Sequence, residues 1–91
     1  AGINLPLVLE QHAIWANSGG RMGVRADLAG LNLSRHPLVG VNLSAALLTG
    51  ATLFQAKLAG TILAMADLSL ADLRKADLTA ADLRGITLER A

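Results

Sequence analysis

The sequence predicts an all-β solenoid preceded by a short α-helix, and three observations lead to this fold class. Leucine occupies every fifth position from Leu28 to Leu88, thirteen times in succession. The residue two places before each leucine is mostly alanine, and the residue directly before it is often Asp or Asn. Residues 1–25 lie outside this period and carry a helical pattern instead. We therefore divide the chain into a capping helix with its linker, 1–25, and a repeat domain, 26–91.

A five-residue period fits neither a helix nor a flat strand. In an α-helix, a step of five rotates each leucine by about 140°, so the leucines would spread around the helix instead of forming one buried stripe. In a strand, side chains alternate between the two faces, so an odd step would place successive leucines on opposite sides. All the leucines share one interior only if the chain turns a corner once per five residues, which is the pattern of a solenoid.

In frames of five, residues 26–90 have a mostly small residue first, often Asp or Asn second, leucine third and two variable places after it. This motif resembles the pentapeptide-repeat family and covers 65 of the 91 residues. The resemblance implies a right-handed quadrilateral β-helix with one pentapeptide per side and four sides per coil. It implies three coils, 26–45, 46–65 and 66–85, plus one further side, with first-place and leucine side chains pointing inward.

The second-place residues have a structural explanation in such a fold. Short Asp and Asn side chains form hydrogen bonds with nearby backbone and tolerate turn conformations, which a corner every five residues requires. Asp67, Asp72, Asp77 and Asp82 would fall on four different sides and point away from one another. We therefore expect these carboxylates to form neither a catalytic pair nor a metal site, and we expect no catalytic residue and no cofactor.

The N-terminal segment is predicted to form a helix over residues 5–18, with Asn4 as its N-cap and Gly19 and Gly20 at its end. Residues on one face follow at steps of three or four: Leu5, Val8, His12 and Trp15. Because the end of a solenoid exposes its leucines and an unpaired strand, we expect this helix to cover the first coil. The run HAIWANSGGRMGVRADL also resembles the lead-in of many bacterial pentapeptide-repeat proteins.

Four residues near the predicted first coil are interpreted as structural. His12 and His36 have no Cys or carboxylate at ligand spacing, so we expect neither to bind a metal. His36 occupies an inward first place, where we expect it to be packed or partly solvated. Trp15 is expected to pack rather than to form a binding platform. Pro37 lacks an amide N–H, so we place it at the edge of the first coil or at a corner.

Composition indicates one small domain. No run of 18 apolar residues exists, the formal net charge is +1, and the chain has no cysteine. Residues 1–17 lack the basic start and cleavage pattern of a signal peptide. We expect a cytoplasmic protein without a membrane span and without a small-molecule substrate. The chain begins at Ala1 rather than methionine, from which we expect a processed product or a fragment of a longer protein.

Function is therefore expected on the outward-pointing side chains. The side built on Leu33, Leu53 and Leu73 presents a basic patch with one aromatic residue. This candidate interaction surface consists of Arg35, Phe54, Gln55, Arg74 and Lys75. The interpretation that we prefer is a non-enzymatic structural or protein-interaction module, a rigid column within a larger protein or assembly, whose protein partner the sequence does not identify.

Two alternatives involve nucleic acid or its mimicry. Some pentapeptide-repeat proteins imitate duplex DNA and bind type II topoisomerases such as gyrase. Those mimics are long and negatively charged, whereas this chain has a formal charge of +1 and a predicted column of about 15 Å. Direct nucleic-acid binding through Arg35, Arg74 and Lys75 is not expected, because three cations without a groove or stacking platform give little affinity.

The last predicted side, residues 86–90, ends without a helix. Ile86 and Leu88 therefore have no cover that the sequence encodes. Three outcomes are open: the chain continues, the end frays, or two columns stack end to end. We expect an end-to-end homodimer through Ile86 and Leu88, an arrangement that also occurs in the pentapeptide-repeat family that the motif resembles.

Overall fold

The computed structural model describes residues 3–91, so residues 1 and 2 of the predicted capping segment lie outside the described part. A single helix, α1 (Leu5–Asn17), precedes a series of isolated parallel β-bridges. The bridges join Asp27 to Leu47, Asn32 to Thr52, Pro37 to Lys57, Asn42 to Ile62, Leu47 to Asp67, Thr52 to Asp72, Lys57 to Asp77, Ile62 to Asp82 and Asp67 to Thr87.

Every bridge joins residues twenty apart, so the chain returns to the same side after four pentapeptides. We number the sides by their leucines. Side 1 carries Leu28, Leu48, Leu68 and Leu88; side 2 carries Leu33, Leu53 and Leu73; side 3 carries Leu38, Leu58 and Leu78; side 4 carries Leu43, Leu63 and Leu83. The parallel pairing of successive turns makes a β-helix, the fold that the resemblance of the repeat motif implies.

Leucine and small first-place residues fill the interior. The nine leucines from Leu28 to Leu68 are at most 5% exposed, and burying each contributes roughly 2 kcal/mol. The first places beside them are small and equally buried, at Ala46, Ala51, Ala56 and Ala66. Thr61 is a buried polar exception, and its hydroxyl donates to the Leu38 carbonyl oxygen at 2.6 Å. The inward orientation of first and third places therefore holds through the middle of the column.

The two ends of this core differ. Leu5, Val8 and Leu9 of α1 pack against the core together with the larger first-place residues of the first repeats, Leu31 and Val41. At the other end, Leu83 is 36% exposed and Leu88 is 46% exposed. In the described part of the chain, α1 thus packs against the core, and the leucines of the last repeats are more exposed than those of the earlier ones.

The second-place Asp and Asn residues stabilise the corners, as predicted. Each accepts a hydrogen bond from the backbone N–H two residues later, at 3.0–3.2 Å: Asp27, Asn32, Asn42, Asp67, Asp72, Asp77 and Asp82. The bond from the Ser69 N–H is the main reason that the pKa of Asp67 is lowered. These side chains repeat a local turn motif, which accounts for their recurrence in the second place.

Helix α1 begins and ends close to its predicted bounds. The Asn4 side-chain oxygen accepts a hydrogen bond from the Leu7 N–H at 3.1 Å, which confirms Asn4 as the N-cap. After the helix, the chain doubles back, and the Val24 N–H donates to the Gln11 carbonyl at 3.2 Å. Gly23, at φ +73°, sits so close to the helix that a Cβ there would overlap the Gln11 carbonyl oxygen.

Pro37 lies in the first set of four sides, where its missing N–H costs no hydrogen bond. It forms a bridge with Lys57 only. The hydrogen bonds of that bridge run from the Leu38 N–H to the Lys57 carbonyl and from the Lys57 N–H to the His36 carbonyl, at 2.8 and 3.0 Å. The predicted edge position of Pro37 is therefore confirmed.

Candidate interaction surface

Side 2 brings the predicted cationic and aromatic residues together around one ring. The guanidinium carbons of Arg35 and Arg74 lie 6.0 and 5.4 Å from the centroid of the Phe54 ring, and the Lys75 Nζ lies 6.0 Å from it. All three distances are within the range of a cation–π interaction. Residues far apart in sequence thus form one surface, because a period of twenty places them on the same side.

The register of the bridges fixes this arrangement. Asn32 pairs with Thr52, and Thr52 pairs with Asp72, so the three pentapeptides of side 2 lie directly above one another. Adjacent pentapeptides are therefore about 4.8 Å apart, and the surface extends about 10 Å along the column. The Arg35 Nε donates a hydrogen bond to the Gln55 side-chain oxygen at 2.9 Å, which links neighbouring levels of the surface.

The fifth place of each pentapeptide has a left-handed backbone conformation. Glycine occupies this place at five corners, Gly30, Gly40, Gly50, Gly60 and Gly85, with φ between +67° and +72°. Residues with a Cβ occupy this place at the other eight corners, and on side 2 they are Arg35, Gln55 and Lys75, at φ +60°, +57° and +59°. A residue with a Cβ costs roughly 1–2 kcal/mol in this conformation. Side 2 therefore has long polar side chains at every corner where glycine would be less strained.

One of the three cations has a carboxylate partner. The Arg74 Nε and Nη2 donate to the two carboxylate oxygens of Asp72 at 2.9 and 2.8 Å. This hydrogen bonding lowers the pKa of Asp72 to about 2, so its carboxylate stays ionised at neutral pH. Among the described residues, neither Arg35 nor Lys75 has a carboxylate within 4 Å. Side 2 consequently keeps two positive charges that no neighbouring carboxylate balances.

Side 4 carries the same Arg–Asp pair without the rest of the surface. The Arg84 Nε and Nη2 donate to Asp82 at 2.9 and 2.7 Å, in the arrangement that Arg74 and Asp72 adopt. The other outward residues of side 4, which include Ile62 and Met65, are uncharged. This pair serves as an internal control, because it has the same local turn structure as Arg74 and Asp72 but no cluster of cations beside it.

The end of the column next to side 2 is open and apolar. A cleft of about 620 Å³ lies there, lined by Ala71, Asp72, Leu73, Arg74, Leu88 and Ala91. Ile86, the other residue predicted to lack a cover, is half-buried, whereas Leu88 is exposed. The predicted lack of cover is therefore clearest at Leu88.

His12 has a role that sequence reasoning missed. Its imidazole is fully buried, with Nδ1 accepting from the Ala26 N–H at 2.9 Å and Nε2 2.8 Å from the Ser44 carbonyl oxygen. Since Nδ1 is an acceptor, the proton is on Nε2 and the ring is neutral. Burial is the main reason that its pKa is lowered. The available signal was its place on the predicted inner face of the helix, between Val8 and Trp15.

Trp15 and Arg25 complete this contact. The Trp15 ring stacks on His12 with a centroid distance of 5.4 Å, and the Arg25 guanidinium carbon lies 5.6 Å from the Trp15 ring. The Arg25 Nε also donates to the Ala45 carbonyl oxygen at 2.7 Å. Trp15 thus takes part in packing, as expected, and His36 is half-buried at its inward place.

Residues 3–91 contain no group of three or more His, Cys, Asp or Glu side chains arranged to hold a metal ion. Within the same range, no helix has both the length and the apolar character that crossing a bilayer requires. The expected absence of catalysis and the expected cytoplasmic location stay predictions.

Comparisons with known proteins agree with the repeat pattern. The family model for pentapeptide repeats matches residues 38–69 and 53–90, with eight copies. Among solved structures, the chain is similar to a pentapeptide repeat protein from the thylakoid lumen of Arabidopsis thaliana, at 35% identity and a TM-score of 0.38. That match covers 70% of this chain and 48% of the other, so the chain spans about half the length of the structure it matches. The search of curated proteins finds no match.

Proposed function

The chain belongs to the pentapeptide-repeat family, and on this basis we propose that it is a non-enzymatic protein-interaction module. In this proposal the β-helix is a rigid column, part of a larger protein or assembly, and side 2 is the surface on which a protein partner docks. The observation that carries the proposal is the convergence of Arg35, Arg74 and Lys75 on Phe54, at 5.4–6.0 Å from its ring.

The composition of side 2 supports docking. Aromatic and arginine side chains are the residue types enriched at protein interfaces and at their energetic hot spots. Phe54 is half-buried, and the Arg35 and Arg74 side chains beside it are held by Gln55 and Asp72. The net positive charge of this side is the opposite of a DNA mimic, so the gyrase-binding alternative gains no support from it.

We also propose the detailed architecture that membership of the family implies. The column is a right-handed quadrilateral β-helix with three coils, 26–45, 46–65 and 66–85, and α1 is its N-terminal cap. The twenty-residue spacing of the bridges supports four sides per coil. The contacts of Leu5, Val8 and Leu9 with the core support the capping role. A crystal structure of the chain tests both the winding and the cap.

Affinity capture from the native lysate, with identification by mass spectrometry, tests the docking surface. The side-2 variant replaces Phe54, Arg74 and Lys75 with alanine. The matched control variant replaces Ile62, Lys57 and Arg84, one apolar residue and two cations of sides 3 and 4, with alanine. We expect a partner that wild type and the control variant retain and the side-2 variant loses. Identical partner lists for all three folded proteins contradict the proposal.

A second proposal concerns the open end. We propose that two copies associate there through Ile86 and Leu88. Because α1 already packs on the first end of the core, head-to-tail stacking is blocked, and the last end is left to pair with its own copy in a closed two-fold arrangement. The exposure of Leu83 and Leu88 supports this association. Light scattering is expected to show a mass that doubles with concentration, and a constant monomer mass contradicts it.

A further inference from the structure

We propose that side 2 recognises an acidic, extended segment of a partner protein, whose Asp or Glu carboxylates contact Arg35, Lys75 and Arg74. This inference rests on the proposed function, because it names the chemistry of the partner that docks there. It specifies that the ligand is negatively charged. It also identifies Asp72 as a residue that lowers affinity, because Asp72 competes with the partner's carboxylates for Arg74.

The charges of side 2 are arranged so that an anion stabilises them. Arg35 and Lys75 each lie 6.0 Å from the centre of the same ring, so their separation is at most twice that distance. Salt at physiological concentration screens charges over about 8 Å, so a carboxylate within that distance of either cation is attracted to it. Phe54 holds the cations around its ring, and carboxylates of a partner that approach this side gain favourable interactions with them.

An extended peptide fits this surface better than a single small anion. The Arg74 side chain is 76% exposed, and Arg35 and Lys75 are exposed as well, so no wall encloses an ion. The cations are instead spread over three levels of the column, a span of about 10 Å. Alternate residues of an extended chain are about 7 Å apart, so two or three carboxylates of one segment reach different cations at the same time.

Nucleic acid fits this surface less well. Binding of single strands relies on aromatic rings that are free to stack with bases. The Phe54 ring is instead contacted by Arg35, Arg74 and Lys75. Three cations, one of them paired with Asp72, also neutralise few phosphates, and phosphate neutralisation supplies most of the affinity for nucleic acid.

The sharpest test compares Asp72→Asn with Asp82→Asn. Both variants raise the net charge by one, and both keep the corner hydrogen bond, because Asn32 and Asn42 make the same bond in this chain. Only Asp72→Asn frees an arginine next to Phe54. With an acetylated hexaglutamate peptide as the probe, followed by NMR titration, we expect Asp72→Asn to bind about threefold more tightly than wild type, the effect of one charge at about 6 Å in water.

Loss-of-charge variants test the same surface in the opposite direction. The double variant Arg35→Gln and Lys75→Gln removes the two cations that have no carboxylate partner, and we expect about tenfold weaker binding of hexaglutamate from two such charge effects. The matched control, Arg84→Gln with Lys57→Gln, removes the same charge from sides 3 and 4 and is expected to lose far less. Hexaglutamine is expected not to bind, and added salt is expected to weaken the hexaglutamate complex.

Several results overturn the inference. Equal affinities of Asp72→Asn and Asp82→Asn show that overall charge, not side 2, attracts the peptide. Equal binding of hexaglutamine removes the role of carboxylates. Tighter binding of a hexameric oligothymidylate than of hexaglutamate assigns the surface to nucleic acid instead.

The experiments distinguish failure of the acidic-ligand inference from failure of the proposed docking function. If the lysate partner is lost in the side-2 variant but hexaglutamate neither binds nor competes with that partner, the docking surface stands and the acidic chemistry is wrong. If partner capture is also unchanged by the side-2 variant, both proposals are wrong.

Discussion

His12 holds helix α1 against the repeats through both of its ring nitrogens. Nδ1 accepts from the Ala26 N–H, so a second proton on the ring would face another donor instead of an acceptor. Burial lowers the pKa of His12, the Ser44 carbonyl opposes this shift, and the positive charge of Arg25 adds to it. Folding therefore selects the neutral ring, and the unfolded chain binds a proton more readily.

The free energy of unfolding is therefore expected to decrease as the pH is lowered. The contribution of neutral His12 is fully present above the unfolded pKa of about 6.5 and is lost as pH falls toward its lower folded pKa. The loss is at most about 1.4 kcal/mol per pH unit. Urea unfolding at pH 8 and pH 5.5 is expected to show a smaller free energy of unfolding at pH 5.5. His12→Gln, which can both donate and accept, is the control, and an equal pH slope in both proteins contradicts this assignment.

The sequence predicted repeated residues better than single ones. The interior positions and the corner hydrogen bonds of Asp and Asn follow from the five-residue period. Each position repeats many times, so single exceptions do not obscure the pattern. The period of twenty also places one set of outward residues on the same side, whereas a role of that side in binding stays a prediction: Arg35, Phe54, Gln55, Arg74 and Lys75. The hydrogen bonds of His12 were not predictable, because they depend on how one helix meets Ser44 and Ala26 in space.

At the scale of elements, the linker after α1 is held by a close approach at Gly23. A Cβ there would overlap the Gln11 carbonyl oxygen and the Trp15 amide nitrogen, which are backbone atoms that cannot rotate away. Gly30 has nearly the same φ, +72° against +73°, but an added Cβ there meets nothing within 4 Å. The two glycines thus share the same left-handed conformation and differ in the space available to an added Cβ.

We expect Gly23→Ala to destabilise the chain more than Gly30→Ala. Gly30→Ala is expected to cost roughly 1–2 kcal/mol, the cost of the left-handed conformation alone. Gly23→Ala adds the clash with α1 and is expected to displace the helix, with a loss of the Trp15 stacking on His12. Thermal unfolding and the tryptophan fluorescence of both variants measure this. Equal losses of stability would mean that α1 moves freely to accommodate the methyl group.

At the scale of the whole molecule, the column has unequal ends. Each level donates hydrogen bonds to the next, so the Leu53 N–H reaches the Asp72 carbonyl at 2.7 Å. The Leu73 N–H occupies the same place one level later, and within residues 3–91 it has no backbone acceptor. Repeat proteins gain stability from contacts between neighbours, so the last level, which has one neighbour in the described chain, is expected to open first.

Amide hydrogen exchange tests this asymmetry and the end-to-end association together. In dilute protein, we expect the Leu53 amide to be strongly protected and the Leu73 amide to exchange fast, although both lie on side 2 of the column. If two copies associate through Ile86 and Leu88, rising concentration covers the last level and slows exchange at Leu73 while leaving Leu53 unchanged. Exchange at Leu73 that stays fast at every concentration contradicts the association. Equal protection of both amides in dilute protein contradicts the open end itself.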